Sequence, residues 1–259
     1  NEDLENWRRD RTKADFKREV LGEFVEDSDT YFPMDLIRGT IGTYSGRDAS
    51  VDRRFLSVDL ADSGKDETIF VIFRLYEDGM VDTERVIARP KDQLSQTEGN
   101  IKRLHEIYEF SQIVVDASGM GTKMPQDLKE ADLPVKGFES STKNKEEAYT
   151  TLKKWMENER IKFEVKDKLP SQIAEEFDDG QQSQRDLIKQ FDKLKKSTTT
   201  NGTLKFSHPQ GGHDDYPDAV AMGCWLIERH SYEAESMDME GLGDVLGSKS
   251  RYDVSSQLG

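Results

Sequence analysis

The sequence predicts a mixed α/β fold, in which three antiparallel strands and then parallel strands form one central sheet flanked by helices. Three runs predict the antiparallel part, because 55–60, 68–76 and 82–88 are rich in β-branched and aromatic residues. The EDG turn between the last two runs is typical of a hairpin. A helical pattern over 94–110 leads into the apolar run IVV, which is the order of a parallel crossover.

The rest of the chain alternates between extended and helical patterns. Extended runs are LPVKGF, IKFEV at 161–165 and TLKFSHP at 203–209, and helical patterns cover TKMPQDLKEA, 144–160, 183–196 and 218–230. We expect one main domain, since a domain usually takes about 100 to 200 residues.

Composition excludes several protein classes. A single cysteine, Cys224, permits neither an internal disulfide nor a multi-cysteine zinc site. The longest apolar runs fall far short of the ~20 residues of a membrane helix, and no signal-like segment opens the chain. We therefore expect a soluble intracellular protein.

Charge is unevenly distributed along the chain. The net charge of −15 argues against strong unaided binding to nucleic acid, whose phosphates attract lysine and arginine. The segment 183–206, however, holds six basic and two acidic residues. Such a run indicates either a solvated helix face or a surface for DNA phosphates.

Two acidic residues mark the ends of predicted strands. Alternation along the first strand places Leu56 and Val58 on one face and Asp59 on the other. Asp116 closes the IVV strand, and ligands in open α/β sheets collect at the carboxyl ends of strands. A bond from the adjoining loop to Asp59 and a turn at Asp116 are the structural alternatives.

The stretch GGHDDYPDAV at 211–220 concentrates negative charge at the start of a helix. On that helix Asp214, Asp215 and Asp218 share a face, and a proline is tolerated in the first turn. A helix N-terminus accounts for one or two acids, but not for three and a histidine. A divalent cation would attract all of them. SGMGTK lacks the GxxxxGK[ST] spacing, so we expect no nucleotide site.

Three motifs in this order, FLSVDLADSGKDET, IVVDASGMG and GGHDDYPDAVAMG, resemble the nuclease domain of the large terminase subunit of tailed viruses. The resemblance implies an RNase H-like fold for residues 51–230. It implies that 1–50 is a linker or arm from a preceding ATPase domain, because EFVEDSDTYFP is similar to the exit segment of that domain. We expect 231–259 to be an acidic, disordered tail.

The resemblance further implies an endonuclease that cuts concatemeric viral DNA when packaging begins and ends. It implies two-metal hydrolysis with Mg²⁺ or Mn²⁺, little sequence specificity and no nucleotide. Asp59, Asp116 and Asp215 carry over as catalytic metal ligands, assisted by Asp218 and then Asp214. His213 is expected to orient a ligand or the substrate. Asp62 and Asp66 are expected to lie next to the metal ligands without binding an ion themselves.

The expected partners are double-stranded DNA, the ATPase domain of the same full-length protein, the portal and the small terminase subunit, in the host cytoplasm and without a membrane. The residues expected to contact DNA are Lys143, Lys145, Arg185, Lys189, Lys193, Lys195 and Lys196. Two alternatives stay open: an RNase H or junction resolvase, and a docking module of the packaging motor without catalysis.

Overall fold

A computed structural model describes residues 30–42, 44, 49–61, 67–90, 94–164, 180–200, 202–208 and 213–247. Asp62 and Asp66 lie outside these residues. Within them, no helix combines the length and the apolarity needed to cross a membrane.

The predicted mixed sheet is confirmed. Its strands are β1 (Val51–Asp59), β2 (Glu67–Tyr76), β3 (Val81–Pro90), β4 (Gln112–Asp116), β5 (Val135–Phe138) and β6 (Ile161–Phe163). In the described part of the chain they lie in the order β5-β4-β1-β2-β3-β6. Strands β1, β2 and β3 are antiparallel, whereas β4 and β5 continue the sheet in parallel from β1, and β6 lies parallel to β3.

Helices cover both faces of the sheet. They are α1 (Met34–Thr40), α2 (Leu94–Tyr108), α3 (Met124–Glu130), α4 (Thr142–Glu157), α5 (Gly180–Lys193) and α6 (Asp215–Gly247), and a 3₁₀ helix over Gly119–Lys123 precedes α3. Helices α2 and α3 pack on one face, the α2 face, and α1, α4, α5 and α6 pack on the other, the α6 face.

The alternation predicted for the first strand is confirmed by burial on both faces. Leu56 and Val58 pack with Ile101 on the α2 face, whereas Phe55 packs with residues of α6 on the other. Helix α6 comes so close to the sheet that a Cβ on Gly223 would lie 2.1 Å from the ring of Phe73. A glycine is needed there because the packed ring leaves no room for a methyl group.

Packing begins well before residue 50, which was the expected end of the arm. Tyr31, Phe32 and Ile37 are buried in the core on the α6 face. The ring of Phe32 lies 5.1 Å from that of Phe191 on α5, in an edge-to-face arrangement. This part of the expected arm therefore belongs to the core, because its aromatic residues have apolar partners on the sheet domain.

Two boundaries in the second half also differ from expectation. The last helix was expected to end at 230, with a disordered tail after it, but α6 continues to Gly247. Its extension holds three glutamates, two methionines and two leucines, residue types that favour helices. Helix α5 ends at Lys193, and the KKST segment after it forms β7 (Lys195–Thr198), antiparallel to β8 (Leu204–Ser207).

Candidate active site

Acidic residues from three separate stretches meet at one edge of the sheet. Asp59 ends β1 and Asp116 ends β4, and these strands are parallel neighbours through the pair Val58 and Val115. Their carboxyl ends therefore lie side by side. Helix α6 begins at Asp215 and packs across β1, β2 and β4, which brings its first turn to the same edge.

Asp59 lies at the centre of this charge, with 9% of its surface exposed. Its pKa lies well above the ordinary value, first because of burial and then because of the negative charges of Asp218, Asp116 and Asp215. The ammonium of Lys145 lowers that pKa. The fold thus brings carboxylates that are distant in sequence close enough to repel one another.

Hydrogen bonds from nearby loops orient Asp116. Its Oδ1 accepts a bond of 3.0 Å from the Ser118 backbone N–H and one of 3.1 Å from the Ser140 hydroxyl. The 3₁₀ helix also packs tightly against this strand end, since a Cβ on Gly121 would lie 2.6 Å from the Asp116 carbonyl oxygen and 2.4 Å from Leu60. The carboxylate therefore has a defined direction at the end of β4.

Both oxygens of Asp218 are engaged by residues of α4. The Lys145 ammonium lies 2.6 Å from Oδ2, and the Tyr149 hydroxyl donates a bond of 2.6 Å to Oδ1. Burial lowers the pKa of Lys145, but Asp218, and then Asp214 and Asp59, raise it by more. Lys145 is therefore a firmly protonated cation within the acidic site.

The loop before α6 adds two histidine contacts. His208 Nε2 lies 3.8 Å from Asp214 Oδ1, and His213 Nδ1 lies 3.8 Å from Asp215 Oδ2. Both histidine side chains are exposed by more than a third, at 36% and 43%. His213 thus lies beside a predicted ligand, and its supporting role stays a prediction.

The chemistry of this donor set fits a hard divalent cation. Carboxylate oxygens are the ligands that Mg²⁺ and Mn²⁺ prefer, and a cation would relieve the repulsion around Asp59. Within the described residues, no group of three or more His, Cys, Asp or Glu side chains is arranged to hold an ion as it stands.

The lysines expected to contact DNA occupy two kinds of position. Four of them are exposed: Lys143 at the start of α4, Lys189 and Lys193 on α5, and Lys195 on β7. Lys196 is half-buried. Lys145 differs, because it points into the acidic site. Arg185 lies on α5, but its side chain is outside the described part.

Sequence reasoning missed Tyr149 and the pairing of Lys145 with Asp218. The two residues of α4 are four apart and so lie on one helix face. That spacing was visible in the sequence, but the acidic partner was not.

The sequence matches a known protein family. Residues 56–224, which make up more than half of the chain, match the model of the terminase RNase H-like domain. The chain belongs to this family. The predicted relationship to large terminase nucleases is thereby confirmed. No curated protein matches the chain.

Solved terminase structures share the fold. The large terminase nuclease of thermophilic phage G20c with bound magnesium has a TM-score of 0.55 at 16% identity, over 74% of this chain and 95% of that one. A mutant nuclease domain of the large terminase subunit gp2 of bacterial virus Sf6, with manganese and beta-thujaplicinol, gives 0.58 at 12% identity, over 75% and 98%. The large terminase of another thermophilic bacteriophage gives 0.62 at 12% identity, over 88% of this chain and 52% of that one. The RNase H-like fold is therefore confirmed.

Proposed function

We propose that this terminase RNase H-like domain is a metal-dependent DNA endonuclease that cuts concatemeric viral DNA when genome packaging begins and ends. The observation that carries the proposal is the burial of Asp59 among the charges of Asp116, Asp215 and Asp218 at one edge of the sheet. Packing carboxylates together in this way destabilises a protein unless a cation joins them. A structural role alone does not account for it.

Asp59, Asp116 and Asp215 are the residues we assign to hold two divalent ions. The G20c nuclease with bound magnesium and the Sf6 nuclease domain with manganese support these metals. When bound, such ions activate water and stabilise the departing oxygen of a phosphodiester. Asp59 interacts with the charges of Asp116, Asp215 and Asp218 and would be the central ligand of this set. The hydrogen bonds of Asp116 hold its carboxylate in place for the same purpose.

The β7–β8 ribbon offers DNA a basic surface beside the acids. Its Phe206 ring lies 4.3 Å from that of Tyr149, and the Leu204 N–H donates a 3.1 Å bond to Glu146 on α4. Exposed Lys195 and Lys205 thus lie on a ribbon that is anchored next to the site. Lysine contacts to phosphates position DNA without reading its sequence, which suits a cutter of many sequences.

The acidic net charge makes tethering important. At −15, the chain as a whole repels DNA, so we propose that the rest of a packaging motor delivers it. The partners we propose are the ATPase domain of the same protein, the portal and the small terminase subunit. Residues 1–50 would connect to that ATPase domain.

A plasmid nicking assay tests the function. The parent protein should nick supercoiled DNA with Mn²⁺ or Mg²⁺, whereas Asp59→Asn, Asp116→Asn and Asp215→Asn should each lose cleavage. Asp127→Asn is a matched control, because Asp127 is exposed on α3, on the far face of the sheet. A parent protein that binds neither metal and cuts no DNA would refute the proposal.

The same variants separate the alternatives. An RNase H or resolvase would prefer an RNA–DNA hybrid or a four-way junction to plasmid DNA under identical conditions. A docking module without catalysis would show no metal-binding heat that depends on Asp59. Calorimetric titration of the parent and of Asp59→Asn with Mn²⁺ decides that second point.

A further inference from the structure

The three acids around Asp59 have different contacts. Both oxygens of Asp218 receive a short hydrogen bond, one from the Lys145 ammonium and one from the Tyr149 hydroxyl. Both donors come from one face of α4, a helical turn apart. An oxygen that is already engaged in this way must give up its donor before it can bind a metal.

Burial makes that exchange unfavourable. The side chains of Asp218 and Lys145 are 12% and 30% exposed, and the ring of Tyr149 is fully buried in the core. Breaking a buried ion pair leaves a charge without its partner in a poorly solvated place. The pair also joins α4 to the first turn of α6, and these two helices pack along each other.

We infer that Asp218 is the counter-ion that holds the Lys145 ammonium beside Asp59, and that it is not a metal ligand. The metal ligands proposed above, Asp59, Asp116 and Asp215, then do not include Asp218. Lys145 is a positioning residue that offsets part of the negative charge of the site before any ion arrives. This inference rests on the proposed function, since it divides the acids of the same site into two roles.

A charge-neutral double replacement tests the division of roles. Lys145→Gln with Asp218→Asn removes the ion pair, keeps the net charge and lets two amides hydrogen-bond across the same gap. If Asp218 is only a counter-ion, Mn²⁺ should bind with the parent stoichiometry and with a Kd within about threefold of the parent, as calorimetry measures it. A loss of binding as large as in Asp59→Asn would make Asp218 a ligand and overturn the inference.

The single variant Lys145→Gln gives a second result. It removes a positive charge next to Asp59, so Mn²⁺ should bind more tightly, by roughly three- to tenfold. Lys129→Gln is the control, because Lys129 is exposed on α3, on the opposite face of the sheet, and it should leave the Kd unchanged. Equal affinities in the two variants would show that the Lys145 ammonium does not act on the ligands.

Folding and function are checked separately. Thermal unfolding shows whether each variant is folded. If the double variant does not fold, NMR of the parent takes its place, with the lysine Nζ resonances followed during Mg²⁺ addition. The Lys145 signal should persist, and its loss would contradict the inference. If Asp59→Asn binds Mn²⁺ as the parent does, the proposed metal centre itself fails. If Asp59→Asn loses binding and the double variant loses it too, only the present inference fails.

Discussion

Two groups of buried carboxylates lie at opposite ends of the central sheet, and they differ in how their charge is balanced. Near the β2–β3 turn, Arg74 donates two hydrogen bonds of 2.7 Å, one to each oxygen of Asp82, and also contacts Glu164. The Tyr76 hydroxyl donates a further bond of 2.8 Å to Asp82. This network satisfies its fully buried aspartate with groups of the protein alone.

At the other end, four carboxylates share one ammonium, whereas Asp82 and Glu164 share one guanidinium. Burial raises the pKa of Asp59 most, three neighbouring carboxylates raise it further, and one ammonium lowers it. The comparison teaches that burial of a carboxylate does not by itself indicate function. An unbalanced set indicates that a ligand from outside is needed, whereas a balanced set indicates a structural role.

Replacement of Asp59 should have the largest effect on activity and the opposite effect on stability. Asp59→Asn should reduce plasmid cleavage by about a thousandfold or more, since it removes the central metal ligand. Because the folded-state pKa of Asp59 is raised, its ionisation opposes folding above that pKa. The metal-free variant should therefore melt at a higher temperature than the parent at neutral pH. A lower melting temperature would show that the acids are balanced after all.

Replacement of Asp82 should reverse that pattern. Asp82→Asn leaves the buried Arg74 with one fewer carboxylate, so the free energy of unfolding in urea should fall by about 3 kcal/mol. Cleavage per folded molecule should stay at the parent level. Asp52→Asn is the control, because Asp52 and its partner Arg53 are 43% and 40% exposed, and its effect should be under about 1 kcal/mol. Equal effects in the two variants would contradict a structural role for the network.

Divalent ions should stabilise the protein only through the carboxylates around Asp59. At a Mn²⁺ concentration about a hundred times the Kd, the parent should gain about 2.7 kcal/mol of stability, which thermal unfolding detects. Asp59→Asn should show no gain, and Asp82→Asn should show the same gain as the parent. A gain in Asp59→Asn would place the ion elsewhere.

A smaller effect should come from the contact that brings α6 to the sheet. Gly223→Ala places a methyl group against the buried Phe73 ring, so stability should fall by about 2 kcal/mol. Gly99→Ala, in α2, meets nothing within 4 Å and should be neutral or stabilising by up to about 1 kcal/mol. Cleavage by Gly223→Ala should also fall, because its helix carries Asp215. Unchanged cleavage and stability would show that the helix has room to move.

Much of the sheet was predictable because each strand carries a local signal. Alternation placed Asp59 on the correct face, and the IVV run placed Asp116 at a strand end. The β7 strand was missed, since its lysines continue a helical charge pattern and only the following threonines favour a strand. The buried aromatic residues before residue 50 were missed because their partners, such as Phe191, are distant in sequence.

The site was predictable only as a set of candidates. The spacing of Asp214, Asp215 and Asp218 indicated one helix face, but not which acid is already paired. That depends on how closely α4 and α6 approach, which tertiary packing decides. Lys145 therefore looked like a surface residue for DNA in the sequence, whereas the fold turns it toward Asp218.

The aromatic segment at Tyr31 has a practical consequence for cutting the protein into parts. Thr30 forms a bridge with Lys195 of β7, the Tyr31 N–H donates a 3.2 Å bond to the Leu194 carbonyl, and the Tyr31 ring lies 4.8 Å from that of Phe206. A truncated protein that starts at residue 50 would lose the support beneath its basic ribbon along with three core side chains. An expression boundary placed upstream of Thr30 keeps both.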